Sequence, residues 1–280
     1  MNEKPRKKRY RFKDLLTDPE TNRRWEMVRR YFFLRESTYD MTHRCNIQCD
    51  GCYYYEGDKQ FAHDNRDPDQ WRQLMVAEKE RGITYVVLAG AEPSLVPDLC
   101  DVCYREIPLG AIATNGLREI PEPVGYKIHI SVWGNDETSA RIRHRKGMLQ
   151  QQIANYRGDD RAVFVYTFTR NNIADAEDVL EMLAEAGCKV TFNMFSAPVG
   201  YEGPLRHTEI SLKLVRETMM ALLSGYPDTV LFSPYNVVAH THPYGLHDLY
   251  ACPYPRMNPS KAQGLGRSFR QYRTDLTWNR

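Results

Sequence analysis

Two hydrophobic periods alternate along the middle of this chain. Short apolar runs typical of buried strands are followed by stretches with apolar residues three and four positions apart, the spacing of amphipathic helices. The predicted strands cover residues 37–43, 85–89, 110–114, 127–133, 162–168 and 189–195. The predicted helices between them cover residues 68–82, 97–107, 147–157 and 175–187. This order of elements predicts βαβ units and a parallel sheet.

Six such units are too few for a closed eight-stranded barrel. We therefore predict an α/β fold, an open, partial (β/α)6 TIM-like barrel, over residues 37–198. An N-terminal arm, residues 1–36, precedes it and contains a predicted helix at 19–35. Residues 199–280 are predicted to form a C-terminal α/β extension that covers the substrate, with one further helix around residues 212–222 and a short strand at 229–232.

Composition narrows the class of protein. With 280 residues, 42% apolar and 26% charged, the chain fits one large globular domain with appendages. Because there is no run of 18 apolar residues and no apolar segment after the basic terminus, we expect neither a membrane span nor a secretory signal. Seven cysteines, an odd number with three close together, favour a reducing, cytoplasmic location over a disulfide framework.

The arm is strongly basic between residues 4 and 13. Its cations are Lys4, Arg6, Lys7, Lys8, Arg9, Arg11 and Lys13. Such a run fits either a nucleic-acid arm or a solvated terminus, and the second is the more common outcome. A nucleic-acid partner is therefore not our expectation.

Three cysteines follow the first predicted strand at the spacing Cys45-x₃-Cys49-x₂-Cys52. Three thiolates in one loop can ligate three corners of a [4Fe–4S] cluster and leave the fourth iron without a protein ligand. A zinc site or a ferredoxin-like cluster normally closes its shell with a fourth ligand. His43 is near in sequence, but it falls inside the predicted strand, so we expect an open site. The closed kinds of site remain the alternatives.

Polar and small residues follow the carboxyl ends of the other predicted strands. They are Gly90, Ala91 and Glu92 after the second strand, Asn115 after the third, Ser131 at the end of the fourth, Arg143 a dozen residues later, and Asn193 on the sixth. Ligands of parallel α/β sheets bind at these strand ends, so we expect the residues to face one ligand. A plain βα loop at Glu92, an ordinary Asn-Gly turn and a surface charge at Arg143 are the alternatives.

The cysteine spacing together with Gly90-Ala91-Glu92-Pro93 and Thr114-Asn115-Gly116 resembles the radical SAM superfamily. The resemblance implies that Cys45, Cys49 and Cys52 hold a [4Fe–4S] cluster and that S-adenosylmethionine (SAM) occupies the open iron. It implies further that an electron from the cluster cleaves the sulfonium and releases a 5′-deoxyadenosyl radical. A reductant such as flavodoxin or ferredoxin is the implied partner.

The resemblance also assigns the contacts to SAM. Glu92, in the turn with Gly90 and Ala91, is implied to bind the methionine amine, and Ser131 and Arg143 are implied to hold the ribose and the carboxylate. Asn193 is implied to meet the adenosine, and the backbone carbonyl of Tyr54 the adenine amino group. Asn115 belongs to a segment common in the superfamily. Gly51 stands where many relatives carry an aromatic residue, so the stacking contact on adenine is expected to be absent.

Four further cysteines remain. Cys100 and Cys103, on one helix face, are predicted to pack in the core, and a second cluster built from them and Cys188 is the alternative. Cys252 lies in a proline- and aromatic-rich tail with His240, His242 and His247, which favours a solvated, substrate-facing tail over a metal site.

This tail resembles the region that follows the core in a group of radical SAM enzymes that includes neomycin C epimerase. In that group a cysteine of this region quenches the substrate radical, so the resemblance implies that Cys252 is a hydrogen donor. Those relatives continue into a segment that carries an auxiliary cluster. This sequence stops at Arg280 without one, so we expect either no second cluster or a truncated chain.

The expected function is epimerisation of a sugar-like, aminoglycoside-type small molecule after hydrogen abstraction from a C–H bond. Dehydrogenation, elimination and decarboxylation are alternative outcomes, as is modification of a peptide or tRNA bound by the basic arm. A non-enzymatic iron–sulfur electron carrier or sensor is the alternative from another class, and the Glu92, Ser131 and Arg143 motifs disfavour it. The substrate and the oligomeric state have no recognisable code in the sequence.

Overall fold

The computed structural model describes residues 35–52, 54–55, 63–195, 197, 201–241 and 271–276, and positions 17, 19, 22, 23, 25 and 26. The strands in this part are β1 (Glu36–Asp40), β2 (Tyr85–Ala89), β3 (Gly110–Thr114), β4 (Lys127–Val132), β5 (Ala162–Phe168), β6 (Val190–Met194) and β7 (Gln271–Tyr272). The helices are α1 (Pro68–Glu80), α2 (Pro97–Glu106), α3 (Asp136–Ile142), α4 (Met148–Tyr156), α5 (Ala176–Glu185), α6 (Glu209–Gly225) and α7 (Pro234–Thr241).

The strands form one sheet in the order β6-β5-β4-β3-β2-β1-β7, and every neighbouring pair is parallel. Between β1 and β6 the chain alternates strand with helix, and the sheet is open. This confirms the predicted partial (β/α)6 barrel. Helical backbone at positions 19, 22, 23, 25 and 26 agrees with the helix predicted in the N-terminal arm.

The two faces of the sheet carry different side chains. On β4, Ile128 and Ile130 are fully buried in the hydrophobic core. Because side chains alternate along a strand, the intervening His129 and Ser131 point to the opposite, inner face of the barrel, where they line a cavity. The core therefore lies on the helix-covered side of the sheet, and the side chains of the inner face line the cavity.

A buried ion pair lies at the amino-terminal end of the strands, just before β4 and β5 begin. Arg161 donates to Asp159 at 2.7 Å through Nη2 and at 3.0 Å through Nε, and its remaining N–H groups donate to the carbonyls of Ile120, Pro121 and Val124. Both charged side chains are 1% exposed. Every donor of this guanidinium therefore has a partner within the protein.

Three details of the prediction are wrong. The first strand ends at Asp40 rather than at residue 43, because Thr42 and His43 donate instead to the Asp64 carboxylate at 2.6 and 2.7 Å. The strand predicted at 229–232 is reduced to a single bridge between Val190 and Val230. The preceding residues fold into a turn in which Thr229 and Val230 both donate to the carbonyl of Tyr226.

The third discrepancy concerns elements that the periodicity did not indicate. Helices α3 and α7 and the short β7 are absent from the prediction.

No helix among the described residues combines the length and the apolar character that crossing a bilayer requires.

Candidate active site

A cavity of about 440 Å³ opens at the carboxyl ends of the strands. The loops after β1, β2 and β3 and residues of β4, β5 and β6 line it. Every predicted site residue in the described part of the chain lines this cavity except Tyr54. Those that do are Cys45, Cys49, Cys52, Gly90, Ala91, Glu92, Asn115, Ser131, Arg143 and Asn193.

The three cysteines of the β1 loop are half-buried and face the cavity together. Burial raises the pKa of Cys45 to about 11, and the nearby charges of Glu92 and Cys49 add to that rise. Burial also raises the pKa of Cys52. The pKa of Tyr55 is raised to about 12 by burial, with further contributions from all three sulfurs. The tyrosine hydroxyl and the three thiols therefore share one small space.

This donor set fits a cluster with one open corner. Among the residues that the structure describes, no three His, Cys, Asp or Glu side chains are arranged to hold a single metal ion. A cubane spreads its iron atoms over separate corners, and one thiolate suffices for each. The carboxylate nearest to Cys45, that of Glu92, is already engaged by protein donors, which leaves thiols as the ligands on offer.

Glu92 is 1% exposed and joins two loops. Its Oε1 accepts from the Ser94 amide at 2.9 Å and from the Thr114 hydroxyl at 2.6 Å, and its Oε2 accepts from the Asn115 amide at 2.8 Å. A carboxylate has about four acceptor sites. Three protein donors therefore leave Glu92 room for one more donor from the cavity.

Gly90 brings the Glu92 loop against the start of the cysteine loop. Its φ is +105°, and a Cβ there would lie 2.8 Å from the backbone nitrogen of Met41. The close approach lets Met41 donate to the carbonyl of Ala89, and Ala91 to that of Thr42, both at 3.0 Å. A residue without a side chain is required at this position.

Asn115 reaches across to the cysteine loop. Its Nδ2 donates to Asn46 Oδ1 at 2.6 Å and lies 3.6 Å from the Cys45 sulfur. Its Oδ1 accepts from the amide of Leu117, which fixes the orientation of the side chain. Asn115 thus holds the first cysteine in place, a contact that the sequence did not indicate.

Arg143 is 4% exposed, whereas its neighbours Arg141 and Arg145 are exposed, so a surface charge is excluded. One Nη donates to the Ser131 carbonyl at 2.6 Å, and the guanidinium lies 5.9 Å from the centre of the Trp133 ring. Its buried Nε has no hydrogen-bond partner, and no carboxylate in the described part of the chain forms an ion pair with it. A buried, unpaired cation is costly unless a ligand supplies the anion.

Trp133, which directly follows β4, and Phe195, which directly follows β6, form an aromatic wall beside Ser131. Phe195 packs edge-on against Trp133, with ring centres 5.8 Å apart, and Trp133 donates from Nε1 to the Ser131 hydroxyl at 2.9 Å. A Cβ at Gly51 would lie 2.8 Å from the Phe195 ring. Glycine at position 51 therefore leaves room for the Phe195 ring, which lines the cavity just after β6.

The side chain of Tyr54 is almost fully buried and packs edge-on against Tyr55, with ring centres 5.9 Å apart. The role predicted for Tyr54 belongs to its backbone carbonyl and stays a prediction. Cys252 lies outside the described residues, as do His242 and His247.

The other three cysteines that the structure describes lie in the hydrophobic core. Cys100 and Cys103 are fully buried on α2, and Cys188 is 6% exposed. This confirms the packing that was predicted for the first two.

Comparison with known proteins gives the family. The model of the radical SAM superfamily matches residues 39–209, more than half of the chain, and the chain belongs to this superfamily. The superfamily's cofactors, a [4Fe–4S] cluster and SAM, are therefore the cofactors of this chain.

Individual relatives are more distant. An S-adenosylmethionine-dependent nucleotide dehydratase from a Thermoplasmatales archaeon (strain ISO4-H5) is 32% identical over 76 residues, which is 26% of this chain and 26% of the relative. Streptococcus suis SuiB bound to SAM has a TM-score of 0.58 at 13% identity, over 80% of this chain and 56% of SuiB. A tagged anSMEcpe with bound AdoMet has a TM-score of 0.53 at 15% identity, over 68% and 60%. At these identities the two structures show the shared fold alone.

Proposed function

We propose that this radical SAM enzyme binds its cofactors and a small-molecule substrate together in the 440 Å³ cavity at the strand ends. The observation that carries the proposal is that three thiols and an unpaired, buried guanidinium line the same space. When bound and reduced, the cluster supplies the electron that cleaves SAM to a radical able to abstract hydrogen from a substrate C–H bond.

Cys45, Cys49 and Cys52 are the proposed ligands of three irons. Ligation needs thiolates, and burial favours the neutral thiols in the free protein, so cluster binding and thiol deprotonation are coupled. Asn115 and Tyr55 border these thiols and restrict how the loop can move.

Glu92 and Arg143 are proposed to bind the two charged groups of the methionine part of SAM. The remaining acceptor site of Glu92 suits an ammonium group, and the Arg143 fork suits a carboxylate. Ser131, Asn193 and the Phe195–Trp133 wall are proposed to hold the adenosine, with the Tyr54 carbonyl at its adenine. Apolar side chains such as Ile47 and Met194 help to exclude water.

Epimerisation of a sugar-like, aminoglycoside-type substrate is the proposed reaction, with Cys252 as the hydrogen donor. Support comes from the tail's resemblance to the epimerase group. A thiol S–H bond is weaker than an alkyl C–H bond, so hydrogen transfer to a carbon radical runs downhill. The transfer leaves a thiyl radical on Cys252, which the external reductant and a solvent proton would return to the thiol. Dehydration of a nucleotide is the second candidate, because the matched relative is a nucleotide dehydratase. In both cases the reacting part of the substrate is a ring that bears hydroxyl groups.

The cluster assignment can be tested by anaerobic reconstitution. Wild type should bind about four iron and four sulfide per chain, and the triple substitution of Cys45, Cys49 and Cys52 by Ala should bind none and form no 5′-deoxyadenosine. Cys188→Ala, a cysteine outside the cavity, is the matched control and should keep the full iron content. A full cluster with SAM cleavage in the triple variant would contradict the assignment.

The reaction type can be tested in deuterated water with an aminoglycoside and with a nucleoside triphosphate as candidate substrates. Epimerisation should place one solvent deuterium at the inverted carbon, and Cys252→Ala should form 5′-deoxyadenosine without the inverted product. Dehydration should instead give a product lighter by one water. Normal epimer from Cys252→Ala would remove the donor role.

A further inference from the structure

The inner end of the cavity has a composition of its own. His129 lies two residues before Ser131 on β4, so it projects to the same face one layer closer to the amino ends of the strands. Its partner in register on β3 is Ala113, and Ala89 lines the same side from β2. The small side chains leave free space beside one imidazole. We call His129, Ala89 and Ala113 the cavity floor.

His129 differs from the other described histidines. His43 and His144 each contact an aspartate, at 2.6 and 2.8 Å. His207 contacts the Phe168 carbonyl and the Ser211 hydroxyl, and His240 contacts the carbonyl of Asn236. His63 is exposed to water. His129 is half-buried, faces the cavity and has no hydrogen bond to any residue that the structure describes.

The surroundings of His129 favour the neutral form of its imidazole. Burial lowers its pKa, and the nearby charge of Lys127 lowers the pKa further. A neutral imidazole offers one N–H donor and one acceptor nitrogen, the pair of functions that a hydroxyl group also has. The rest of the floor carries no charge, so a phosphate or carboxylate would find no counter-ion there.

We propose that the cavity floor is a substrate subsite in which His129 exchanges a hydrogen bond with an uncharged hydroxyl group of the substrate. The inference rests on the proposed function and deepens it, because it selects a sugar-like group over an anionic one for the inner end of the cavity. Holding one hydroxyl at the floor limits which substrate C–H bond faces the cofactors at the mouth. His129 thereby controls both binding and the site of hydrogen abstraction.

Fully deuterated glycerol is a suitable probe, because it is small, uncharged and rich in hydroxyl groups. In the reduced, cluster-loaded enzyme with SAM, a glycerol C–D bond breaks and the deuterium joins the 5′ carbon. This gives monodeuterated 5′-deoxyadenosine and a glycerol radical. Mass spectrometry then reports the deuterated fraction against glycerol concentration. Saturation-transfer NMR of glycerol with the unreduced enzyme gives a second measure that needs no turnover.

His129→Leu should raise the glycerol concentration for half-maximal deuterium transfer roughly two- to tenfold, the effect of one lost hydrogen bond. His129→Gln keeps a donor and an acceptor and should change it less. His207→Leu, which removes a histidine whose partners are protein groups, is the matched control and should leave it unchanged. Ala113→Leu fills the floor without altering His129, so it should lower deuterium transfer while cofactor binding persists.

Equal deuterium transfer in wild type, His129→Leu and Ala113→Leu would overturn the inference, as would no deuterium from glycerol in wild type. If no variant forms 5′-deoxyadenosine at all, the proposed function fails instead. Iron content and SAM affinity, measured on each variant, separate the two results.

Discussion

Two buried arginines lie at opposite ends of the parallel strands and differ in how many of their hydrogen bonds are made within the protein. Arg161, at the amino-terminal end, has an aspartate and three carbonyls as partners, and all its donors are satisfied. Arg143, at the carboxyl-terminal end, has one carbonyl and an aromatic ring, and its Nε has no partner among the described residues. Both side chains are nearly inaccessible.

The comparison indicates that the amino-terminal end of the strands has a structural role, whereas the carboxyl-terminal end is suited to binding a ligand. An arginine whose hydrogen bonds are all made within the protein stabilises the fold and has nothing to offer a ligand. An arginine that is buried beside a cavity without an anion raises the free energy of the unliganded protein, and a bound carboxylate can lower it again. Equivalent substitutions at the two positions should therefore affect different measurements.

The largest effect is expected for Arg161→Met. It leaves the Asp159 carboxylate buried without its cation and three carbonyls without donors, so the free energy of unfolding should fall by about 3–5 kcal/mol. Urea denaturation followed by circular dichroism measures this. Arg157→Met, an exposed arginine nearby, should change stability by less than about 0.5 kcal/mol. A loss no greater than that of the control would contradict the structural role of the pair.

Arg143→Met should have a smaller effect, and on a different quantity. Loss of one charge-assisted contact should weaken SAM binding by about 1.5–3 kcal/mol, measured by calorimetry on the reconstituted enzyme. The loss of stability should be smaller than for Arg161→Met, because no buried carboxylate is left behind. Arg145→Met, exposed and two residues away, is the control. If Arg143→Met unfolds the protein while the SAM affinity of the folded molecules is unchanged, Arg143 has a structural role like that of Arg161.

Trp133→Leu should have the smallest effect. The ring lies beside the Arg143 guanidinium and donates to Ser131, so its loss should weaken SAM binding by about 0.5–1 kcal/mol through misplacement of Arg143. Trp133→Phe keeps an aromatic face and should fall between wild type and Trp133→Leu in calorimetry. A loss as large as that of Arg143→Met would show that the contact of Trp133 with adenosine, rather than its effect on Arg143, dominates its contribution to SAM binding.

Strands with a continuous apolar run were the most predictable elements. The bounds predicted for β2, β3 and β5 agree with the structure residue for residue, because a continuous apolar run with punctuating glycine, proline or polar residues is a local signal. Helix α3 is only seven residues long and depends on the Asn135 side chain, which accepts from the amide of Thr138 at 3.0 Å. Such a cap carries little periodicity, so the sequence pattern did not indicate it.

The candidate site was predictable as far as its motifs reach. The predicted residues that line the cavity were found from their position after strands and from the superfamily resemblance. The packing of Phe195 against Gly51, the contact of Asn115 with Asn46 and the lack of a partner for His129 among the described residues were not. Each depends on which strands become neighbours and how closely two loops approach, and these long-range relations have no signature in local periodicity.

The contact between Thr274, just after β7, and the residues just before α1 also has a consequence for biosynthesis. Thr274 donates to the carbonyl of His63, 211 residues away, and accepts from the amide of Asn65. Contacts between such distant positions form late in folding. Residues 271–276 leave the ribosome long after the cysteines, so their contacts with His63 and Asn65 cannot form until then. The nascent chain therefore presents its three thiols before the residues that follow their loop are held in place, which gives cluster delivery an interval that lasts until residues 271–276 have emerged.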